Sequence, residues 1–162
     1  MRNAMQAIVT INNDQTSTAQ LAERLDGTVL AFDFGEKRIG VAVGEHLLGI
    51  AHPLTTIATE ATDERFQYIA ELIKEWKPAL LVVGLPLSLD GEEHGLTLLS
   101  KKFARRLDGR FGLPVVMVDE RLTSVEAEQT LKTAGITGRK QKPMLDQVAA
   151  QHMLQSYFDG LV

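Results

Sequence analysis

A chain of 162 residues with 44% hydrophobic side chains and a net charge of −4 has the size and apolar content of one ordinary domain. It holds no cysteine, which excludes a disulfide framework and a thiolate zinc site and points to a cytoplasmic protein. No apolar run approaches the roughly 20 residues that cross a bilayer, and the N-terminus lacks the charged start and apolar centre of a signal peptide, so no membrane partner is expected.

Residues 1–27 are polar and weakly patterned, with "NNDQTSTAQ" of flexible composition and at most a short helix at "TAQLAERL". They read as an N-terminal extension to a domain spanning 28–162. From Val29 the pattern changes. "TVLAFDFG", "RIGVAVGE" and "GIAHPLTTI" predict three strands in an antiparallel meander, with "GEHLLG" as the turn between the last two. Phe66, Ile69, Leu72, Ile73 and Trp76 then fall at helical spacing behind Thr62, Asp63 and Glu64 as cap and first-turn acids. "PALLVVGLP" is a continuous apolar run, as in a strand buried on both sides and parallel to the first. A second helix carries Leu96, Leu99, Phe103 and Leu107 and ends at Gly109 and Gly112. "LPVVMVDE" predicts the next strand, "TSVEAEQTLKTAG" a helix with a Thr123/Glu126 capping box, and about Pro143 to Asp159 the last helix. The fold class is therefore α/β. Three antiparallel strands followed by two parallel strands, with helices on both faces, match a ribonuclease H-like mixed sheet.

Asp33, the pair Asp119 and Glu120, and Asp146 each fall at the edge of an apolar element, and three such acids converging would make an oxygen-ligand cage. A carboxylate inside a buried strand is costly unless paired, hydrogen-bonded or holding a metal. Asp33 and Asp119-Glu120 lie towards strand ends, where ligands bind open α/β sheets. Asp146 begins the last helix, and Ala149 and Ala150 on its face would let that helix lie close to the sheet. Such a cage suits Mg²⁺ or Mn²⁺ flanking a phosphodiester. Strand alternation sends Asp119 and Glu120 to opposite faces, so one of the two would face the cage.

Charge is uneven along the chain. Residues 60–93 carry eight acids against three Lys or Arg, whereas residues 101–142 carry ten Lys or Arg against five acids. Lys101, Lys102, Arg105, Arg106 and Arg110 flank the apolar stripe of the second helix, and Arg139, Lys140 and Lys142 precede Asp146. With Lys37 and Arg38 after Asp33, and Arg121 after Glu120, these loop cations are the candidate nucleic-acid contacts. Gly35, Gly40, Gly84 and Gly91 would let a phosphate backbone approach. Aromatic residues are only 6% of the chain, which favours backbone and shape recognition over base stacking.

Four stretches, "AFDFGEKRIGVAVGE", "VVGLPLSLDGEE", "VDERLTSVEAE" and "LDQVAAQHMLQSYFD", resemble in order and spacing the YqgF family, also called RuvX or Holliday junction resolvase-like proteins. The resemblance covers about residues 28–159 and implies a ribonuclease H-like nuclease that matures the 5′ end of the small-subunit ribosomal RNA precursor in bacteria. It assigns the acidic triad to Asp33, Glu120 and Asp146, choosing the glutamate over Asp119, and the N-terminal extension departs from the usual short members. A kinase of the actin type also places an Asp-Gly loop after its first strand, but 162 residues supply only one of the two domains that architecture needs. A resolvase acting on branched DNA, working as a two-fold dimer, and a non-catalytic RNA-binding module are the alternatives to an RNA-processing nuclease, which can be a monomer or a homodimer.

Overall fold

The computed structural model describes residues 8–10, 26–87, 92–119 and 141–160, with residues 8–10 and 141–143 in backbone only. The strands are β1 (Ile8–Thr10), β2 (Thr28–Phe34), β3 (Ile39–Glu45), β4 (Ile50–Ile57), β5 (Leu80–Leu85) and β6 (Val115–Asp119); the helices are α1 (Thr62–Trp76), α2 (Gly95–Phe111) and α3 (Gln141–Asp159). They build one sheet in the order β1-β6-β5-β2-β3-β4. β2, β3 and β4 pair antiparallel, while β5 pairs parallel with β2 and β6 parallel with β5. This is the ribonuclease H-like arrangement that the order of elements predicts. The sheet has one strand more than that reading: Ile8–Thr10, from the N-terminal segment, pairs antiparallel with β6 at the edge. The helix expected at "TSVEAEQTLKTAG" and the short one at "TAQLAERL" lie outside the described residues.

Alternation along the strands divides the core into two layers. Leu30 and Phe32 of β2, with Leu81, Val83, Val115 and Met117, face α1 and α2 through Phe66, Ile69, Leu72, Phe103 and Leu107. Val29, Ala31, Ala42, Val82 and Val116 face α3 through Ala150, Met153, Leu154, Tyr157 and Phe158. Helices on both faces explain why β5 is buried at every position and reads as an unbroken apolar run.

Helix ends differ in detail from the sequence pattern. The cap of α1 is Ala61 instead of Thr62, and Thr59 takes over the polar role: its hydroxyl accepts the Ala61 N–H at 3.3 Å and donates to Glu64 at 2.8 Å. Helix α2 runs through Gly109 and stops at Gly112, whose φ of 64° is left-handed. On α3, Gln155 and Gln151 reach across to the β3–β4 hairpin. Gln155 accepts the Ala51 N–H at 3.0 Å and donates to the Gly49 carbonyl at 2.9 Å.

At the far end of the same helix, His46 Nε2 lies 2.8 Å from the Tyr157 hydroxyl. Burial pushes the His46 pKa below 6.5, against opposing contributions from Gly27, Asp26 and Glu45, and burial raises that of Tyr157. The imidazole is thus neutral and the phenol protonated, and the two share one hydrogen bond. Because the folded pKa is the lower one, the unfolded chain takes up the proton first on acidification. His46 adds stability above pH about 6.5, and that contribution is lost as pH falls through 6.5 towards the folded value. Chemical denaturation between pH 7.5 and 5.5 is expected to show this loss, and His46→Gln to flatten it.

Candidate active site

Asp33 continues the face of Val29 and Ala31 on β2, so its carboxylate lies on the α3 side of the sheet. Its Cα partner across the β2–β3 ladder is Gly40. On Gly40 rests the first part of α3: a Cβ added there would overlap the Asp146 carbonyl and sit 2.9 Å from the Asp146 Cβ. Asp33 and Asp146 are therefore neighbours across one glycine, both partly buried. The glycine that the sequence offered for a phosphate backbone instead admits a helix backbone. Gly44, four residues further along the same face, does likewise for the Phe158 ring at 2.7 Å.

Arg38, in the turn between β2 and β3, closes this corner. Its Nε donates to Asp146 Oδ2 at 2.6 Å, with the two side chains 33% and 23% exposed. A partly exposed pair of this kind contributes under about 1 kcal/mol, so its meaning is positional. It holds a cation against one of the site's carboxylates. Lys37, the neighbouring candidate contact, is exposed.

Asp119 ends β6 on the other face. Val115 and Met117 belong to the α1/α2 layer, and Asp119, in register with Leu85 of that layer, continues their side. Glu120, Arg121, Arg139 and Lys140 lie outside the described residues, as does the Lys142 side chain. Among the described residues no three His, Cys, Asp or Glu side chains gather closely enough to hold a metal ion by themselves. The part of the expected triad that is described, Asp33 with Asp146, is brought together.

A protein-family model described as "RuvX: Holliday junction resolvase" matches residues 27–160. A protein of Methylobacillus flagellatus is 73% identical over 135 residues, 83% of this chain and 92% of that one. One of Nitrosomonas eutropha is 60% identical over 147 residues, 91% and 94% of the two chains, and one of Chromobacterium violaceum 66% identical over 131 residues, 80% and 96%. Each bears the name "Putative pre-16S rRNA nuclease". Among solved structures, Thermus thermophilus RuvC in complex with a Holliday junction substrate aligns at 17% identity and a TM-score of 0.47, over 82% of this chain and 93% of that one. Identity of this level along nearly the whole of its relatives, with the family match over 27–160, makes the chain a member of the RuvX family.

Proposed function

We propose that the chain is a divalent-metal-dependent endonuclease, a phosphodiester hydrolase that trims the 5′ end of the small-subunit ribosomal RNA precursor in the cytoplasm. The observation that carries this reading is the pair of carboxylates, Asp33 and Asp146, gathered on one face of the sheet by Gly40. The name borne by relatives sharing 60–73% of their residues supports the RNA substrate. The family description supports a second reading, cleavage of four-way DNA junctions, which would call for a two-fold dimer.

The donor set fits Mg²⁺ or Mn²⁺: both groups are hard carboxylate oxygens, and such ions are held by one or two carboxylates completed by water and substrate phosphate. Asp33 and Asp146 would hold the ion, with Glu120 as the third acid. Asp119 continues the side of the α1/α2 layer and so is turned away from the α3 face, which supports the choice of the other acid of the pair. A bound ion supplies charge stabilisation of the attacked phosphate and of the leaving oxygen. Arg38 keeps the Asp146 carboxylate oriented before the ion arrives and presents a positive group at the edge where the nucleic-acid backbone enters. Lys37, Arg121, Arg139, Lys140 and Lys142 add phosphate contacts.

Two measurements test this reading. Wild-type protein with Mg²⁺ or Mn²⁺ is expected to cleave a 5′-extended small-subunit precursor RNA and to leave a four-way DNA junction intact; cleavage of the junction alone would favour the resolvase. Arg38→Gln removes a unit positive charge beside the ion site and is expected to tighten Mn²⁺ binding by about 1 kcal/mol, roughly fivefold in calorimetry. Unchanged Mn²⁺ affinity would argue that the ion sits elsewhere.

A further inference from the structure

On the sheet face away from Asp33, the end of β2 and the facing sides of α1 and α2 enclose a cavity of about 300 Å³. Its walls combine two chemistries. Phe34, Phe66 and Phe103 form an aromatic floor, with Phe34 and Phe103 ring centroids 5.0 Å apart and Phe66 and Phe103 5.9 Å apart. Sequence composition alone made stacking platforms look scarce, yet the fold brings half of the six phenylalanines to this region. Lys102 and Arg106 stand exposed on the rim, and Arg65 forms the inner wall.

Arg65 is the unusual member. It is only 6% exposed, and its guanidinium donates to the Thr59 carbonyl at 2.6 Å and the Glu36 carbonyl at 2.7 Å while lying 5.6 Å from the Phe34 ring centroid. Carbonyls satisfy hydrogen bonds but do not neutralise charge, and burying a cation without a counter-ion is costly. Glu60 acts on it only as a longer-range charge. Among the described residues, the wall of the cavity therefore holds a buried positive charge with no carboxylate hydrogen-bonded to it. Glu36 is the carboxylate among the lining residues, and it is outnumbered by three cations.

Phe34 directly follows Asp33, and alternation turns one side chain to each face of the strand. A polyanion crossing this edge of the sheet would meet the carboxylate pair on one side and the aromatic, basic cavity on the other. We propose that the cavity receives one unpaired nucleotide of the strand being cleaved, its base against Phe34 and its phosphate between Lys102, Arg106 and Arg65. This rests on the nuclease reading for the identity of the strand. The base is unpaired because only an unstacked base can offer its face to an aromatic ring. The volume suits a single nucleotide, at the small end of ligand pockets.

Binding of a fluorescent single-stranded RNA decamer, measured by anisotropy in EDTA so that no cleavage occurs, tests the assignment. Lys102→Glu and Arg106→Glu are each expected to weaken binding about tenfold, while Lys74→Glu, the same charge change at the far end of α1, alters it less than twofold. A 2-aminopurine placed in the decamer is expected to be quenched on wild-type protein and not on Phe34→Leu, reporting the stack directly. Equal losses for all three charge variants, or quenching that survives Phe34→Leu, would overturn the proposal. Uridine monophosphate binding as tightly as the decamer would assign the cavity to a free nucleotide and overturn the placing of a strand there. All these readouts are of binding, so their failure leaves the nuclease reading standing. Binding as predicted without any cleavage by wild-type protein would sink the nuclease reading and leave the cavity assignment in place.

Discussion

Gly40→Ala is expected to lower thermal stability and cleavage together, although it adds a single methyl group. The position is an ordinary strand residue with no positive φ, so its backbone accepts alanine, and strand preference alone favours the change by about 0.5–1 kcal/mol. Space decides the sign. The new Cβ would overlap the Asp146 carbonyl, which is backbone and cannot swing aside as a side chain does. Either α3 lifts from the sheet or β3 bends. Overpacking of this kind costs about 1–3 kcal/mol or more, which leaves a net loss of about 2 kcal/mol and a fall in Tm of about 4–8 °C. Because the displaced atoms belong to Asp146, cleavage should fall by about 100-fold, the size expected when a reacting group moves by about 1 Å. Gly109→Ala supplies the contrast. That glycine lies within α2 with nothing within 4 Å of the added Cβ, and it should gain up to about 1 kcal/mol in a melting experiment. If both variants melt like wild-type protein, the seating of α3 on Gly40 is wrong.

Asp33→Asn should have the largest effect on activity and a small one on folding. The side chains are nearly identical in shape, so the β2–β3 ladder persists. On the proposed reading, a charge that would hold the metal ion is lost. Changes to residues that merely support metal ligands cost about 10–100-fold, so loss of a ligand should exceed that, on the order of 10³-fold in cleavage rate. In a chelator the variant should melt at or above the wild-type temperature, because Asp33 and Asp146 are like charges on either side of Gly40 and the substitution removes their repulsion. A marked drop in Tm with cleavage retained would make Asp33 a structural residue instead.

Much of this was legible in the sequence for physical reasons. β5 is apolar throughout because both faces are covered, and the break of an apolar run by Asp33 is visible because a buried charge has few innocent explanations. Gly40 was harder. A glycine that admits a phosphate and one that admits a helix leave the same mark in a sequence, and only the packing of α3 tells them apart. The pair Asp119 and Glu120 could be divided in principle by alternation, but the phase of that alternation needs the register of β6 against β5, which puts Asp119 opposite Leu85. The cap of α1 lies with Thr59, outside the helix, because the cap residue itself is an alanine. The aromatic cavity was invisible for a different reason. Phe34, Phe66 and Phe103 come from three elements far apart in the chain, and composition counts residues without regard to where they meet.

The most direct test is to map the 5′ end of a purified small-subunit precursor RNA after incubation with Mn²⁺ and either wild-type protein or Asp33→Asn. A defined shortened 5′ end with wild-type protein and none with the variant is the predicted result. Equal shortening by both, or none by either at enzyme concentrations that saturate RNA binding, would contradict it.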